Sequence, residues 1–283
     1  MEVGSGLEWF PAPAKLNLFL HVLGRRADGM HELQTVFRLI DRADQVGVHV
    51  REDGMLRRID PDPAIPAEED LCLRAARTLQ SFSGARIGAD LALKKEIPVG
   101  GGLGGGSSDA ATVLLVLNRR WQTGLSRAQL MALALELGAD VPFFIYGRNA
   151  LGEGIGERLT ALSLPARCYL VLVPPASVAT HSVFADNALT RNTKALKIPP
   201  FFFGLGANDL EPVVTRRHPE IAAHLAWLRE RVAGARMTGS GGCVFAEFAA
   251  ESEAREVHAA LPEGMRGFVA RGLDRHPLHD WAD

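Results

Sequence analysis

The chain has 283 residues, 47% of them hydrophobic, with a formal net charge of −2. That length buries one large core or two moderate ones, and so even a charge balance speaks against nucleic acid or an anionic membrane surface as a general partner. Cys72, Cys168 and Cys243 are far apart and form no CxxC pair, the pattern of reduced thiols and not of a disulfide framework or a zinc site.

No basic segment followed by an apolar one opens the chain, and no apolar run reaches eighteen residues, so a cytoplasmic protein without signal peptide or membrane span is expected. In chain order, alternating apolar positions predict strands over Ala14–Leu23, Leu33–Leu39 and Gln45–Arg51. The Pro- and Asp-rich stretch Asp60–Pro66 reads as a loop, and Glu68-Glu69-Asp70 as the acidic first turn of a helix through Leu79. A strand over Ala89–Ile97 leads into a glycine run, followed by a helix to about Trp121. A further helix starts at the N-cap Ser126, runs to Leu137 and stops at Gly138. Tyr169–Val173 is a short buried strand halted by Pro174-Pro175, the best compositional boundary between two lobes. Beyond it, a helix over Pro219–Val232 and strands over Val244–Phe248 and Gly267–Ala270 complete an α+β pattern.

The glycine run is the most informative stretch. Six of the seven positions from Gly100 to Gly106 are glycine, namely Gly100, Gly101, Gly102, Gly104, Gly105 and Gly106, with Leu103 between them. Such a run costs backbone entropy but lets the chain approach a ligand closely and converge N–H groups on an anion. Ser107-Ser108, good N-cap residues, and the apolar segment Ala110–Leu117 follow, so the loop feeds a helix N-terminus suited to phosphate. A P-loop is excluded because no lysine follows the glycines. The spacing Gly100-x-Gly102-x-x-Gly105 matches a dinucleotide fingerprint, but no acid occurs between Ala110 and Leu135 to bind a ribose. A protein-kinase loop would require His-Arg-Asp and Asp-Phe-Gly, and both are missing. A flexible linker is the plainer alternative, which the flanking strand and capped helix disfavour.

Four other places carry chemistry or mimic it. In Pro13-Ala14-Lys15-Leu16-Asn17-Leu18, Lys15 and Asn17 share one face of a strand and interrupt apolar neighbours; a solvated strand edge is the alternative. In Gly138-Ala139-Asp140-Val141-Pro142-Phe143-Phe144, Asp140 is either a helix N-cap or a base toward a substrate hydroxyl. Met237-Thr238-Gly239-Ser240-Gly241-Gly242-Cys243 is either a tight turn or a second ligand loop. Gly152-Glu153-Gly154-Ile155-Gly156-Glu157 reads as a turn between strands.

The segments Pro13–Leu18, Pro98–Ala111 and Met237–Cys243 resemble the three motifs of the GHMP kinases. Arg26–Thr35, Gly138–Phe144 and Asn208-Asp209-Leu210-Glu211-Pro212-Val213 narrow the likeness to the branch acting on a cytidine diphosphate-linked methylerythritol in the non-mevalonate isoprenoid route. The resemblance spans about Pro11 to Phe248. It implies an N-terminal lobe like ribosomal protein S5 domain 2 over 1–165 and a ferredoxin-like C-terminal lobe over 166–283, with the site between them.

It further implies ATP as co-substrate. Transfer is expected to depend on a divalent metal, Mg2+, and because the sequence offers no convincing carboxylate ligand the metal is expected to be held mainly by the phosphates. Asp140 would take the proton of the substrate 2-hydroxyl, with Lys15 supporting its charge and neutralising charge in flight. Pro98, Val99, Gly100 to Gly106, Ser107 and Ser108 would cradle the phosphates, and Lys95 would line the adenine pocket. Asn17 and His31 would hold the cytidine diphosphate portion, and Thr180 and Phe184 would contact cytosine. The expected assembly is a monomer or weak homodimer. Two positions depart from the family pattern: Met30 stands where tyrosine is common, and Asp70 where asparagine often opens the helix, so Asp70 is left out of the nucleotide ligands. A homoserine- or mevalonate-type GHMP kinase is the enzymatic alternative, and a non-catalytic nucleotide-binding S5-like module the other.

Overall fold

The computed structural model describes residues 6–63, 65–197 and 206–282. In chain order its elements are β1 (Glu8–Arg25), β2 (His31–Arg51), β3 (Leu56–Arg58), α1 (Leu71–Ser83), β4 (Gly88–Lys94), α2 (Gly105–Arg120), α3 (Arg127–Leu137), α4 (Val141–Tyr146), β5 (Ala150–Gly154), β6 (Arg158–Ala161), β7 (Cys168–Leu172), α5 (Thr180–Phe184), α6 (Glu211–Arg217), α7 (Pro219–Arg229), β8 (Arg236–Met237), β9 (Val244–Phe248), α8 (Glu251–Ala259) and β10 (Gly267–Leu273). Helices and antiparallel strands are grouped, as expected of an α+β chain.

The long strand β2 organises the sheet. It pairs antiparallel with β1 along most of its length, and with β5, β10 and β4 in turn. The expected break between Leu39 and Gln45 is not a strand end. The register jumps there, from Pro13 opposite Ala43 to Ala14 opposite Ile40, so that the polar residues 41 and 42 bulge and the strand continues. Asp41 and Asp44 find partners off the ladder: Asp41 accepts the Arg271 N–H at 2.7 Å, and Asp44 accepts the Glu96 and Ile97 N–H groups at 2.5 and 2.8 Å. The polar pattern that suggests a loop therefore belongs to a bulge that ties β2 to neighbouring segments.

Behind this sheet, α2 is buried from Ser108 to Asn118, apolar nearly all round as a central core helix must be. Around it pack α1, α3 and α4 with the inner faces of β2 and β4 in one apolar cluster. Asp70 is the N-cap of α1, accepting from Leu73 N at 3.0 Å, so the acids 68–70 precede the helix and do not form its first turn. The α3 start carries the full capping box between Ser126 and Gln129.

The C-terminal half builds its own layer, with β10, β7, β9 and β8 in that order and helices α6, α7 and α8 packed on them. The division at 165/166 falls between β6 and β7. Leu20 and Val22 of β1 nonetheless join the C-terminal cluster, and Gly272 and Leu273 of β10 pair with β2, so the lobes share strands across a cleft.

Candidate active site

A cavity of about 650 Å³ opens where the two halves meet, bordered by the glycine run, side chains of β1 and β2, Asp140, the loop around Gly239 and the short helix α5. Of the residues named from sequence, Lys15, Asn17, Lys95, Pro98 to Ser107, Asp140, Thr180 and Phe184 border it, whereas His31 and Ser108 do not.

Lys15 is 3% exposed, so the solvated-edge reading fails. Its ammonium lies 3.2 Å from an Asp140 carboxylate oxygen, donates to Asn17 Oδ1 at 2.5 Å and stands 5.5 Å from the Phe37 ring centre. Asn17 Nδ2 donates to Thr35 Oγ1 at 2.9 Å, and that hydroxyl donates to Phe19 O at 2.5 Å. A relay of three side chains thus ends on backbone and fixes where the ammonium sits. Asp140 stands at the N-cap position of α4 but has helical φ and ψ and makes no side-chain cap bond. Its carboxylate, about one-third exposed, faces the cavity and Lys15 instead.

The glycine run does two jobs. Gly104, with φ 73°, is the N-cap of α2; a Cβ there would press on Lys15 Cε and Phe144 Cζ at 3.1 and 3.0 Å. Gly102, with φ 74°, faces the late loop so closely that a Cβ would lie 2.3 Å from Thr238 O. The Cys243 N–H donates to Gly101 O at 3.0 Å and the Lys15 N–H to Leu103 O at 2.9 Å. The run is therefore interlocked with β1 and with the Met237–Cys243 loop, and part of its glycine content serves that close packing. Asn208 secures the late loop from below, donating to Met237 O at 3.0 Å and Gly239 O at 2.8 Å.

Ser107 and Ser108 lie inside the first turn of α2 and are not its N-caps. Ser108 is fully buried and donates its hydroxyl to Pro13 O at 2.7 Å, so its side chain braces the loop against β1 and does not face the cavity. The sequence invites the N-cap assignment because serine is a good cap, but here Gly104 takes the left-handed position one turn earlier.

Lys95 is spent on two buried carboxylates, donating to Asp44 and, at 2.8 Å, to Asp109. Although burial opposes it, Asp109 and Asp44 hold the Lys95 ammonium above its ordinary value. Burial pushes the Asp109 carboxyl up to about 7 against the pull of Lys95, with Asp44 adding to the rise. Asp70 is likewise engaged, by Arg58 at 2.6 Å and by its own helix cap.

At α5, the Thr180 and Ser240 hydroxyls meet at 2.6 Å, and the Phe184 ring packs on His31 with centres 4.9 Å apart. His31 thus reaches the cavity wall through Phe184. Its Nε2 accepts from Arg191 Nε at 3.1 Å, and burial, with Arg191 and Arg25 nearby, lowers its pKa.

Sequence reasoning missed Thr35, Asp44, Asp109, Arg191 and the loop-holding role of Asn208. Asp109 carried a signal: it is a lone acid between Ser108 and the apolar Ala110–Leu117, on a helix buried all round. Thr35 and Arg191 carried none, because their roles depend on which distant segments fold onto β1 and His31.

Residues 70–148 match the model of the GHMP kinases N terminal domain, and residues 201–267 that of the GHMP kinases C terminal domain. A 4-diphosphocytidyl-2-C-methyl-D-erythritol kinase of Nitrosospira multiformis is 60% identical over 276 residues, covering 96% of this chain and 94% of that protein. The chain belongs to this family of GHMP kinases. The corresponding kinase of Thiobacillus denitrificans is 58% identical over 272 residues, covering 96% of this chain and 98% of its own. A crystal structure of a 4-(cytidine 5′-diphospho)-2C-methyl-D-erythritol kinase superposes with a TM-score of 0.80 at 35% identity, over 94% of this chain and 99% of that one. A homoserine kinase from Cytophaga hutchinsonii shares the fold at 15% identity, with a TM-score of 0.67 over 98% and 97% of the two chains. Family membership carries ATP-dependent phosphotransfer with it, and the two-lobed GHMP fold matches the sequence expectation.

Proposed function

We propose that the protein transfers the γ-phosphoryl group of ATP to the 2-hydroxyl of 4-diphosphocytidyl-2-C-methyl-D-erythritol, a step of non-mevalonate isoprenoid precursor synthesis. The observation that carries the reading is the Lys15–Asp140 pair, 3.2 Å apart in a cavity that the glycine loop and the Thr180–Phe184 helix both border. Asp140 takes the hydroxyl proton, the oxygen attacks the γ-phosphorus, the bond to the β–γ bridging oxygen breaks and ADP leaves. Lys15 neutralises charge that gathers on the transferring group, and loop N–H groups steady the phosphates. Thr180, Phe184 and His31 are read as the cytidine end, with Asn17 contributing chiefly by orienting Lys15.

The acids Asp44, Asp70, Asp109 and Asp140 are each held by a cation of the protein, and no group of three or more His, Cys, Asp or Glu side chains placed to hold a metal ion is found among the described residues. Mg2+ accompanying ATP is read as borne by the phosphates, and no step is assigned to it. Among those residues no helix is long and apolar enough to cross a membrane. A cytoplasmic enzyme, monomeric or weakly dimeric and without nucleic-acid partners, completes the reading, with lobes over 1–165 and 166–283.

ADP release measured with the cytidine diphosphate alcohol, mevalonate and homoserine in turn tests the substrate. Turnover confined to the first supports the proposal; turnover only with one of the others overturns it.

A further inference from the structure

A strap of irregular chain follows α5 and crosses the β1–β2 hairpin. It is tied by Thr193 N to Val22 O at 3.2 Å, by Leu196 N to Gln34 Oε1 at 2.8 Å and by Gln34 Nε2 to Leu196 O at 3.1 Å. Arg191 projects from this strap toward His31 and the last turn of α5. Its guanidinium is used in an unusual way, on carbonyls and one imidazole. Nη2 donates to Phe184 O and Asp186 O, each at 2.8 Å, Nη1 to Leu189 O at 3.1 Å, and Nε to His31 Nε2 at 3.1 Å. The nearby Asp186 carboxylate is taken by Arg216 and Arg217.

Resting on the reading of His31 and Phe184 as the cytidine end, we infer that Arg191 is a positioning residue for substrate recognition: it dictates the tautomer of His31 and fixes the Phe184 ring against it. A guanidinium nitrogen always carries its hydrogen, so an imidazole nitrogen facing it must be an acceptor. His31 Nε2 is then bare and the proton sits on Nδ1, so the ring that packs on Phe184 has one defined acceptor edge and one defined donor edge. The same fork holds the last turn of α5 through Phe184 O. Both members of the ring pair, one from each half of the chain, therefore take their orientation from one side chain. A lysine cannot copy this, because a single ammonium lacks the planar fork that reaches ring and carbonyls together.

The test uses the full-length protein and two readouts. Long-range ¹H–¹⁵N correlation spectra of histidine-labelled, unliganded protein report which ring nitrogen of His31 is protonated, and steady-state kinetics report each substrate separately. The wild-type protein is expected to show Nδ1–H. Arg191→Met is expected to lose the single tautomer, and both Arg191→Met and Arg191→Lys are expected to raise KM for the cytidine diphosphate alcohol about tenfold or more, as for a lost charge-assisted contact, with KM for ATP and kcat within about twofold. An Nε2–H tautomer in the wild type overturns the inference without any variant. So does an unchanged alcohol KM in a folded Arg191→Lys protein, or an equal rise in both KM values. If the wild type does not turn over the cytidine diphosphate alcohol, the functional reading falls, and the tautomer spectra still decide whether Arg191 sets His31.

Discussion

Asp140 occupies the N-cap position of α4 yet gives its carboxylate to Lys15 of β1, 3.2 Å away, and none of it to the helix. A cap that does not cap is a conflict between local preference and local structure, and such conflicts collect at functional sites. Lys15 shows the complementary conflict, a cation buried to 3% exposure on a strand, tolerated because Asn17 and Asp140 both face it.

The Asn17 relay predicts a kinetic signature. Asn17→Ala removes the acceptor at 2.5 Å from the ammonium and leaves Lys15 free to rotate from the reacting groups. A hydrogen bond to a charged group contributes about 1.5–3 kcal/mol, so kcat is expected to fall about 10- to 100-fold with ATP affinity nearly unchanged. If the variant changes only KM for the alcohol, Asn17 is a substrate contact and not a positioning group.

Within the glycine run, two alanine substitutions should part company. At Gly102 the backbone is left-handed and the new methyl would meet Thr238 O at 2.3 Å, so Gly102→Ala is expected to cost at least ~1–2 kcal/mol and to weaken ATP binding. At Gly106 the backbone is helical and the nearest neighbour, Leu71 Cδ1, lies at 3.4 Å, so Gly106→Ala should melt at or above the wild-type temperature. Calorimetric melting of both variants checks this. Equal losses would mean that the run is built for ligand alone and not for the interlock with the late loop.

Asp109 gives a pH prediction. Burial, with Asp44 beside it, pushes the Asp109 carboxyl up from an ordinary 3.8 to about 7 against the pull of Lys95. Between about pH 4 and 7 the unfolded chain therefore holds fewer protons at this site, and the stability the site contributes is present below that window and is lost as pH rises through it. Asp109→Asn removes the titration. The melting temperature of the wild type minus that of the variant should fall from pH 4 to pH 7 and level off above pH 8. A difference that rises across that range contradicts the assignment.

Much of this architecture was legible from residue order. Caps such as Ser126, stops such as Gly138 and the buried run Ala110–Leu117 are local signals, and local chemistry kept them. The bulge at 41–42 was misread because a polar interruption looks the same whether the strand ends or the polar groups bond sideways to Arg271 and Ile97. Ser107 and Ser108 were misplaced as caps because nothing in the sequence reveals that Gly104 turns left-handed first. Lys15 and Asp140 could be nominated one at a time, but their pairing joins residues 125 positions apart and is a property of the fold. The Asp44–Lys95–Asp109 cluster was hidden for the same reason.

The most direct measurement is single-turnover phosphoryl transfer from ATP to the cytidine diphosphate alcohol by Asp140→Asn beside the wild type, with ATP affinity measured on the same preparations. The account predicts unchanged ATP binding and a transfer step slower by about 10²–10⁴-fold, the range for loss of a positioned base. Transfer at the wild-type rate by a folded Asp140→Asn protein would contradict the central role of the Lys15–Asp140 pair.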